Sequence, residues 1–310
     1  MTSRPFRFGV MASRHDSLAD LADHARRAEE AGFSTLLVSD HFGDALAPLP
    51  TLAVASQVSA LRIGTLVLAN DFRHPAAVAK EAATIDLLSE GRLELGLGTG
   101  WLSDDYERSG IPLDPPATRV DRLEEAITVL KGIWSGEDFS FSGDHYQVAM
   151  AGHPVPVQRP HPPLLMGGSG RRMLSIAGRE ADIVSITATR GQDSRGGYGA
   201  AMLRSGDGLA ERVAWVGEAA SGRDIEPELN VLVHEVVVTD RRGEAAARLG
   251  AGPGVPPESV LESPHVLVGS HDEIAETLIE RRERFGISYI AVGADARDDL
   301  APVVRRLAGT

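Results

Sequence analysis

The sequence contains no cysteine and no apolar segment long enough to cross a bilayer. Without cysteine, the chain can form neither disulfide bonds nor thiolate sites for catalysis or metal binding. A membrane-spanning helix needs about 20 mainly apolar residues, and the N-terminal residues do not resemble a secretory signal. We therefore expect a soluble protein with a cytoplasmic location and no membrane partner.

The signatures of several other protein classes are also missing. No group of His, Asp and Glu residues has the spacing of a metal site, and no Gly-x-Ser-x-Gly motif of a serine hydrolase is present. The formal net charge of −13 argues against general nucleic-acid binding, which requires a basic surface. An anionic ligand would therefore need a local pocket of cationic groups or backbone amides.

Short β-branched segments recur along the chain at a regular interval. The first four begin at residues 6, 35, 63 and 93, so successive starts are 28 to 30 residues apart. This interval is typical of one strand–helix–strand step. The eight predicted strands are Phe6–Val10, Thr35–Val38, Ile63–Leu68, Leu93–Leu97, Leu164–Met166, Ile183–Ile186, Leu229–Val238 and Tyr289–Val292.

Helical patterns lie between these strands. The clearest predicted helices are Ser17–Ala31, Pro75–Leu88 and Val120–Trp134. Eight alternating units predict an α/β protein with a (β/α)8 barrel, also called a TIM barrel, formed by residues 1–310 as one domain. An open, doubly wound sheet is the alternative.

Three segments interrupt the regular spacing and predict insertions. Residues Phe139–Val148 have the pattern of a small hairpin inserted after the fourth strand. In the C-terminal half, Gly191–Gly208 and Gly250–Pro264 are rich in glycine and lack a clear period. We expect these two segments to be loops or lids.

Polar residues follow the second and third strands, where barrel enzymes carry their catalytic groups. Asp40 and His41 follow the second strand. A histidine titrates near neutral pH and suits acid–base catalysis, although a polar turn capped by Asp40 would give the same pattern. Asn70 follows the third strand, where Arg73 and His74 could also serve only to introduce the next helix.

Glycine-rich segments follow the fourth and fifth strands. Gly98, Thr99, Gly100 and Trp101 could let the backbone approach a flat ligand beside an aromatic wall, but tight barrel turns also require glycine. Residues 167–171, Gly-Gly-Ser-Gly-Arg, open a predicted helix. Backbone amides at a helix N-terminus attract anions, so this segment is the best phosphate candidate, with a flexible turn as the alternative.

These strand-end segments, in this order, resemble the luciferase-like oxidoreductase family. The most specific of them are Ser39–His41, Leu66–Pro75, Glu81–Trp101, Pro163–Gly170 and Val268–Ala275. The similarity extends over nearly the whole chain and is greatest to the branch that uses the deazaflavin coenzyme F420. It implies a (β/α)8 barrel, a homodimer, and hydride transfer between coenzyme F420 and a small organic substrate. The alternative it leaves open is a monooxygenase that uses reduced FMN and oxygen.

The resemblance also implies roles for individual residues. His41 would be the acid–base catalyst, and Asp40 would orient it or hydrogen-bond the cofactor ring. A cis peptide bond would fall within Leu68–Asp71. The catalytic residues are thus expected to be His41 and Asp40, and the cofactor-binding residues Asp40, Ala69, Asn70, Gly98, Thr99, Gly100, Trp101, Gly167, Gly168, Ser169, Gly170 and Arg171.

Overall fold

The computed structural model describes residues 4–12, 14–188 and 197–310. Its strands are β1 (Arg7–Met11), β2 (Thr35–Val38), β3 (Arg62–Thr65), β4 (Leu68–Ala69), β5 (Leu93–Gly98), β6 (Phe139–Ser142), β7 (Gln147–Met150), β8 (Leu164–Gly168), β9 (Ile183–Ile186), β10 (Glu228–Val233), β11 (Glu235–Val238), β12 (Val266–Gly269) and β13 (Ile287–Val292).

Helices separate most of these strands. They are α1 (Leu18–Ala31), α2 (Pro48–Val58), α3 (Pro75–Leu88), α4 (Ser103–Ser109), α5 (Pro116–Trp134), α6 (Arg171–Glu180), α7 (Gly197–Leu203), α8 (Leu209–Ala220), α9 (Arg242–Ala251), α10 (Pro257–Glu262), α11 (His271–Phe285) and α12 (Arg297–Leu307), with a 3-10 turn at Asn70–Phe72. Among the described residues, no helix combines the length and the hydropathy that crossing a bilayer requires.

The chain divides into two compact units. The first unit comprises the described residues of 12–25 together with residues 36–166. Within it, β3 lies between β2 and β5, and β5 pairs in parallel with β8. The predicted hairpin forms from β6 and β7, which are antiparallel. Buried Trp134 at the end of α5 donates a hydrogen bond of 2.9 Å from Nε1 to the carbonyl of Ala79 in α3 and thereby ties these two helices together.

The second unit comprises the described residues of 1–11, 26–35 and 167–310. Here β13 lies between β1 and β10, and β10 pairs with β9, all in parallel. The central strand β13 is buried along its whole length, as expected for a mainly apolar strand in a parallel sheet. A separate parallel pair, β11 with β12, packs beside the helices α9 and α10.

Three sequence predictions need correction in this unit. The predicted strand Leu229–Val238 is two strands, because the N–H groups of His234 and Glu235 both bond the carbonyl of His265 and turn the chain towards a new partner. The predicted loop Gly250–Pro264 contains α10, which begins at a proline suited to a first helical turn. Of the predicted loop Gly191–Gly208, residues 197–203 form α7, and residues 191–196 lie outside the described residues.

The third predicted strand is also interrupted, in the first unit. Instead of one strand over Ile63–Leu68, β3 ends at Thr65 and the short strand β4 follows after two residues. A cis peptide bond joins Leu66 and Val67 in this interruption. The expectation of a cis bond within Leu68–Asp71 was therefore wrong in position, because the strand ends earlier than its apolar sequence indicates.

One buried carboxylate anchors the chain that leads into β8. Asp86 of α3 accepts hydrogen bonds from the N–H groups of Val157 and Gln158 at 2.8 and 2.9 Å, and from Gln158 Nε2 at 2.7 Å. The Asp86 side chain is inaccessible to solvent. We predict that Asp86→Ala lowers the free energy of unfolding by about 2–4 kcal/mol, because buried donors lose their acceptor.

Urea denaturation of the whole chain measures this loss. The matched control is Glu81→Ala on the solvent face of the same helix, for which we expect a change of no more than about 0.5 kcal/mol. Equal effects of the two substitutions would show that Asp86 does not anchor this segment.

Candidate active site

A hydrogen bond between His41 and Asp105 lies at the C-terminal end of β2. His41 Nδ1 is 2.7 Å from Asp105 Oδ2, and the N–H of Phe42 donates to Asp105 Oδ1 at 2.9 Å. The aspartate side chain is 7% exposed, whereas the histidine side chain is 35% exposed. Asp105 therefore fixes an imidazole that solvent and a small ligand can still reach.

This contact assigns the proton positions on His41. An ionised carboxylate only accepts hydrogen bonds, so the nitrogen facing Asp105 carries hydrogen. In the neutral ring, Nε2 then has a lone pair available as an acceptor. His41 can take up a proton at Nε2 while the nearby carboxylate stabilises the resulting imidazolium.

Asp40, the neighbour of His41, has a different set of partners. Its Oδ2 accepts from Arg73 Nη1 at 2.6 Å and from the N–H of Ala69 at 3.0 Å, and its Oδ1 accepts from Arg73 Nη2 at 3.0 Å. The pairing is bidentate and the aspartate side chain is 7% exposed. The expectation that Asp40 orients His41 must be revised, because Asp105 holds the imidazole and Asp40 fixes the end of β4.

A second network of side chains follows β4. Asn70 is buried and donates from Nδ2 to the hydroxyl of Tyr146 at 3.1 Å. Asp71 Oδ1 accepts from Arg122 Nη1 at 2.7 Å, and its Oδ2 accepts from the Tyr106 hydroxyl at 3.0 Å. Arg122 also bonds Asp114. The loop after β4 is thus held by α4, α5 and the β6–β7 hairpin.

The charges in this network have defined protonation states. Burial raises the pKa of Tyr106, and the carboxylate of Asp71 raises it further, so this hydroxyl stays protonated and donates to Asp71. Burial also raises the pKa of Tyr146. Burial opposes the charge on Arg122, but its hydrogen bonds to Asp114 and Asp71 outweigh this effect and raise its pKa.

The segment after β5 is tightly enclosed. A Cβ atom on Gly98 would lie 2.8 Å from Val67 Cγ2. Gly100 has a φ of +72°, and a Cβ there would lie 2.0 Å from the Tyr106 hydroxyl. The guanidinium of Arg119 donates to the carbonyls of Thr99 and Gly100. These glycines are therefore required by local packing as well as by any close approach of a ligand.

Two accessible aromatic side chains belong to residues near His41, namely Trp101, which contacts it, and Phe42, which follows it in the chain. The Trp101 ring meets the His41 ring edge to face, with centroids 6.1 Å apart, and is 39% exposed. Phe42 is 48% exposed and packs against Phe72 at 4.9 Å between centroids. The accessible imidazole thus contacts one exposed aromatic ring, that of Trp101.

The predicted phosphate segment belongs to the second unit. Gly167 and Gly168 end β8, and Gly170 is the N-cap of α6 without a side-chain hydrogen bond to the helix. The first helical bond runs from the N–H of Leu174 to the carbonyl of Gly170, so the amides before it point out of the helix N-terminus. A Cβ on Gly170 would meet no atom within 4 Å, and the Arg171 side chain is 71% exposed.

The predicted residues thus fall into two groups. The first unit brings together Asp40, His41, Ala69, Asn70, Gly98, Thr99, Gly100 and Trp101. The second unit contains Gly167, Gly168, Ser169, Gly170 and Arg171. Sequence reasoning missed Asp105, Tyr106 and Arg119. For Asp105 and Tyr106, the available signal was their position just after the Gly98–Trp101 segment.

A family model matches most of the chain. The model of the family described as luciferase-like monooxygenase matches residues 1–249. An F420-dependent glucose-6-phosphate dehydrogenase from Nakamurella multipartita is 35% identical over 194 residues, which are 59% of this chain and 56% of the relative. The match thus spans little more than half the length of that curated relative.

A second relative carries a different cofactor in its name. An FMNH2-dependent dimethylsulfone monooxygenase from Pseudomonas putida is 40% identical over 109 residues, which are 35% of this chain and 30% of the relative. The match to this monooxygenase has the higher percentage identity but is shorter than the match to the Nakamurella multipartita dehydrogenase.

A solved structure establishes the fold. An F420-dependent secondary alcohol dehydrogenase in complex with an F420-acetone adduct aligns with a TM-score of 0.76 and 21% identity, over 97% of this chain and 99% of that chain. At this identity the likeness shows the fold alone. It confirms the predicted (β/α)8 barrel with its insertion after the fourth strand, and the open doubly wound sheet was wrong.

Replacing Gly100 tests the enclosure of the strand-end segment. We predict that Gly100→Ala lowers the free energy of unfolding by about 2–4 kcal/mol, because it adds a clash to the strain of a positive φ. The control is Gly110→Ala, since Gly110 has a φ of +74° and a Cβ added there would meet no atom within 4 Å. We expect Gly110→Ala to lower the free energy of unfolding by about 1 kcal/mol, because it introduces backbone strain without a clash.

A double substitution separates the clash from the strain. Tyr106→Phe removes the hydroxyl that a Cβ at residue 100 would strike. We therefore expect Gly100→Ala to cost less in the Tyr106→Phe background than in the native one, as measured by urea denaturation. If the effects of the two substitutions on the free energy of unfolding were strictly additive, the close approach of residue 100 to the Tyr106 hydroxyl would be contradicted.

Proposed function

This chain belongs to the luciferase-like monooxygenase family, and we propose that it is an oxidoreductase that transfers a hydride between coenzyme F420 and a small organic substrate. The observation that carries the proposal is His41, held at Nδ1 by Asp105 and partly exposed beside the ring of Trp101. Oxidising an alcohol to a carbonyl requires a group that removes the hydroxyl proton, and the imidazole of His41 can accept that proton. The 35% identical relative with F420 in its name supports the choice of cofactor.

Each unit contains residues that suit one part of a flat cofactor that carries a phosphate. Amides at the N-terminus of α6 and the open space at Gly170 suit a phosphate group. In the first unit, Ala69, Asn70 and Gly98–Trp101 would hold the ring, with Asp40 fixing the Ala69 backbone. When bound, the deazaflavin supplies the hydride chemistry, and the protein supplies orientation and the proton.

The proton transfer follows from the hydrogen bonds around His41. For alcohol oxidation, Nε2 accepts the hydroxyl proton as the carbinol carbon gives up its hydride. Asp105 stabilises the positive charge that develops on the ring and prevents it from rotating. In the reverse direction, the same imidazolium returns the proton to the carbonyl oxygen.

The second candidate is a monooxygenase that uses reduced FMN. The 40% identical segment of the dimethylsulfone monooxygenase favours it. Both cofactors need a flat site and a phosphate site, and the same fold serves both chemistries. Cofactor binding therefore decides between the two candidates.

We also propose that the protein is a homodimer and acts in the cytoplasm as one domain of residues 1–310. Helices α2 and α3 pack together and leave Val54, Leu87 and Leu88 substantially exposed. Accessible apolar side chains on neighbouring helices suit a contact between two copies. Sedimentation equilibrium gives the mass in solution, and a mass of one chain at micromolar concentration would contradict the dimer.

Titration of the purified chain with each cofactor is the primary test. We expect coenzyme F420 to bind in the micromolar range or tighter, and FMN to bind at least about tenfold more weakly, a difference of about 1.4 kcal/mol. Changes in the visible absorbance or fluorescence of each cofactor report binding. Tight binding of FMN without binding of coenzyme F420 would favour the monooxygenase instead.

The phosphate segment has its own test. Gly170→Asp places a carboxylate at the N-cap of α6, where it should cap the helix but repel a phosphate. We predict that this variant unfolds at an equal or higher temperature while its affinity for coenzyme F420 falls at least about tenfold. The control is Gly217→Asp on α8, which makes the same charge change at an exposed site. Undiminished cofactor affinity in Gly170→Asp would remove this segment from the site.

Substitutions at His41 and Asp105 test the proton transfer. With whichever of glucose 6-phosphate and 2-hexanol is oxidised faster, we expect His41→Ala to lower kcat by about 10²–10⁴-fold. Asp105→Asn should lower kcat at least about tenfold, because the imidazole loses its charged partner. Neither change should alter the affinity for coenzyme F420 more than about threefold.

The control for these variants is His153→Ala, which changes a histidine in a loop of the same unit. This control should retain native turnover. If His41→Ala also retained native turnover, another group would have to be the acid–base catalyst.

A further inference from the structure

A cavity of about 250 Å³ lies among the helices of the second unit. Residues of α9, α10 and α11 line it, together with the chain that leads into α8. Its volume is slightly below the roughly 300–1,000 Å³ that pockets for larger ligands enclose. The cavity can therefore accommodate a small molecule, and its lining determines of which kind.

Three arginines line this cavity. Arg242 is the first residue of α9, and Arg281 and Arg284 lie in the last two turns of α11. Among the described residues, no carboxylate forms an ion pair with any of the three guanidinium groups. Buried positive charges in proteins are normally paired with an anionic group. This arginine cluster therefore suits an anionic ligand.

Arg281 is only 7% exposed, and its hydrogen-bond partners are all neutral. Its Nη2 donates to the carbonyls of Ser263 at 2.7 Å and Leu261 at 3.1 Å, and its Nη1 to the carbonyl of Val266 at 3.3 Å. Burial lowers the pKa of Arg281 to about 10, and the positive charge of Arg242 contributes to this shift. The carbonyls thus hold the guanidinium at the end of α10 without neutralising its charge.

Arg242 is held on one side only. Its Nη2 donates to Thr277 Oγ1 at 3.2 Å, and this hydroxyl in turn donates to the carbonyl of Glu273 at 2.7 Å. Its Nε is buried and has no hydrogen-bond partner. A buried donor without an acceptor lowers stability, and an anionic oxygen is the acceptor that a guanidinium binds most strongly.

Two glutamates also line the cavity, but neither pairs with an arginine there. Glu262 and Glu280 are both exposed to solvent. Glu280 precedes Arg284 by four residues, a spacing at which helical side chains commonly pair, yet no ion pair joins them. Glu280 raises the pKa of Arg281 less than burial and Arg242 lower it. The positive charge of the cluster is therefore only partly balanced.

The remaining walls of the cavity are apolar or closely packed. Apolar side chains come from Leu209, Leu261 and Phe285, and the Arg284 guanidinium lies 4.8 Å from the centroid of the Phe285 ring. A Cβ atom on Gly206 would lie 2.8 Å from the carbonyl oxygen of Glu262, so the chain before α8 packs directly on the end of α10. Walls that are formed before binding reduce the entropy lost when a ligand binds.

We propose that this cavity binds the phosphate group of a small molecule, with Arg242, Arg281 and Arg284 as its cationic partners. Guanidinium groups bind phosphate oxygens through parallel, charge-assisted hydrogen bonds. The phosphate is either free inorganic phosphate or part of a phosphate monoester. The inference goes beyond the proposed function, because neither His41 nor the proposed cofactor-binding residues line the cavity.

Calorimetric titration with inorganic phosphate and with glycerol 3-phosphate tests the site. Both titrations use the whole purified chain at an ionic strength held constant with sodium chloride, so that general screening does not change. We expect a Kd of about 1 mM or lower for at least one of the two probes. Weaker binding of both probes would overturn the proposal.

The two probes also identify the source of the phosphate. Tighter binding of glycerol 3-phosphate than of inorganic phosphate would identify a phosphate monoester, because the cavity then also contacts the carbon body. Equal or tighter binding of inorganic phosphate would identify the free ion. Either result supports the site.

Substitutions of the lining arginines locate the probe. Arg242→Gln and Arg284→Gln each remove one cation and should raise the Kd at least about tenfold. The matched control is Arg248→Gln, which removes the same charge from an exposed position of α9 outside the cavity and should change the Kd less than about twofold. Arg284 is exposed, so its variant keeps the test decisive if Arg242→Gln does not fold.

Gly170→Asp distinguishes this cavity from the phosphate segment proposed at the N-terminus of α6. We expect this variant to bind the phosphate probes as the native chain does. Loss of probe binding in Gly170→Asp, or undiminished binding in both arginine variants, would overturn the proposal. Absence of coenzyme F420 binding would overturn the proposed function and leave this inference unaffected.

Discussion

The two hydrogen bonds that Asp105 accepts are the constraint on which the candidate site depends. One bond fixes the tautomer and direction of His41, and the other fixes the backbone of Phe42. Both come from a helix, α4, that follows the glycine segment after β5. A rigid helical carboxylate restrains a strand-end loop far better than a loop residue would, because fewer rotamers and backbone states are lost on binding. The imidazole of His41 and the backbone of Phe42 are consequently held by one carboxylate.

Three arginines stabilise the loops around His41 and Asp105. Arg73 ties β4 to Asp40, Arg119 clamps the carbonyls after β5, and Arg122 joins two aspartates. Each of these buried or half-buried charges is paired, as low local polarity demands. These guanidinium groups therefore stabilise the loops that carry the candidate site residues.

Local sequence signals predicted much of the fold. The helix Pro75–Leu88 has the predicted bounds, because a proline opens it and the chain leaves it just before Gly91. The pair Asp40–His41 and the opening of α6 after Gly170 were also visible as strand-end patterns. What failed depended on tertiary pairing. The continuous apolar run Leu229–Val238 hides the switch between two sheets, because periodicity does not identify a strand's partner.

In the candidate site, too, local sequence signals were predictable and tertiary contacts were not. Sequence order places His41 at a strand end, but its partner Asp105 lies 64 residues away. Of the two roles expected for Asp40, the structure contradicts only that of orienting His41. Closeness in sequence does not identify side-chain partners that two loops and a helix bring together in the fold. Residues Arg119 and Tyr106 were missed for the same reason, since their roles consist of contacts with the backbone and side chains of other segments.

Hydride transfer to the deazaflavin can be followed with an isotope label. A 2-alkanol carrying deuterium at the carbinol carbon is incubated with the protein and oxidised coenzyme F420, and the reduced cofactor is analysed by mass spectrometry. We predict that the deuterium is found in the reduced cofactor, in ordinary water and without oxygen consumption. Loss of the deuterium to water, or an oxygen-dependent product, would contradict hydride transfer.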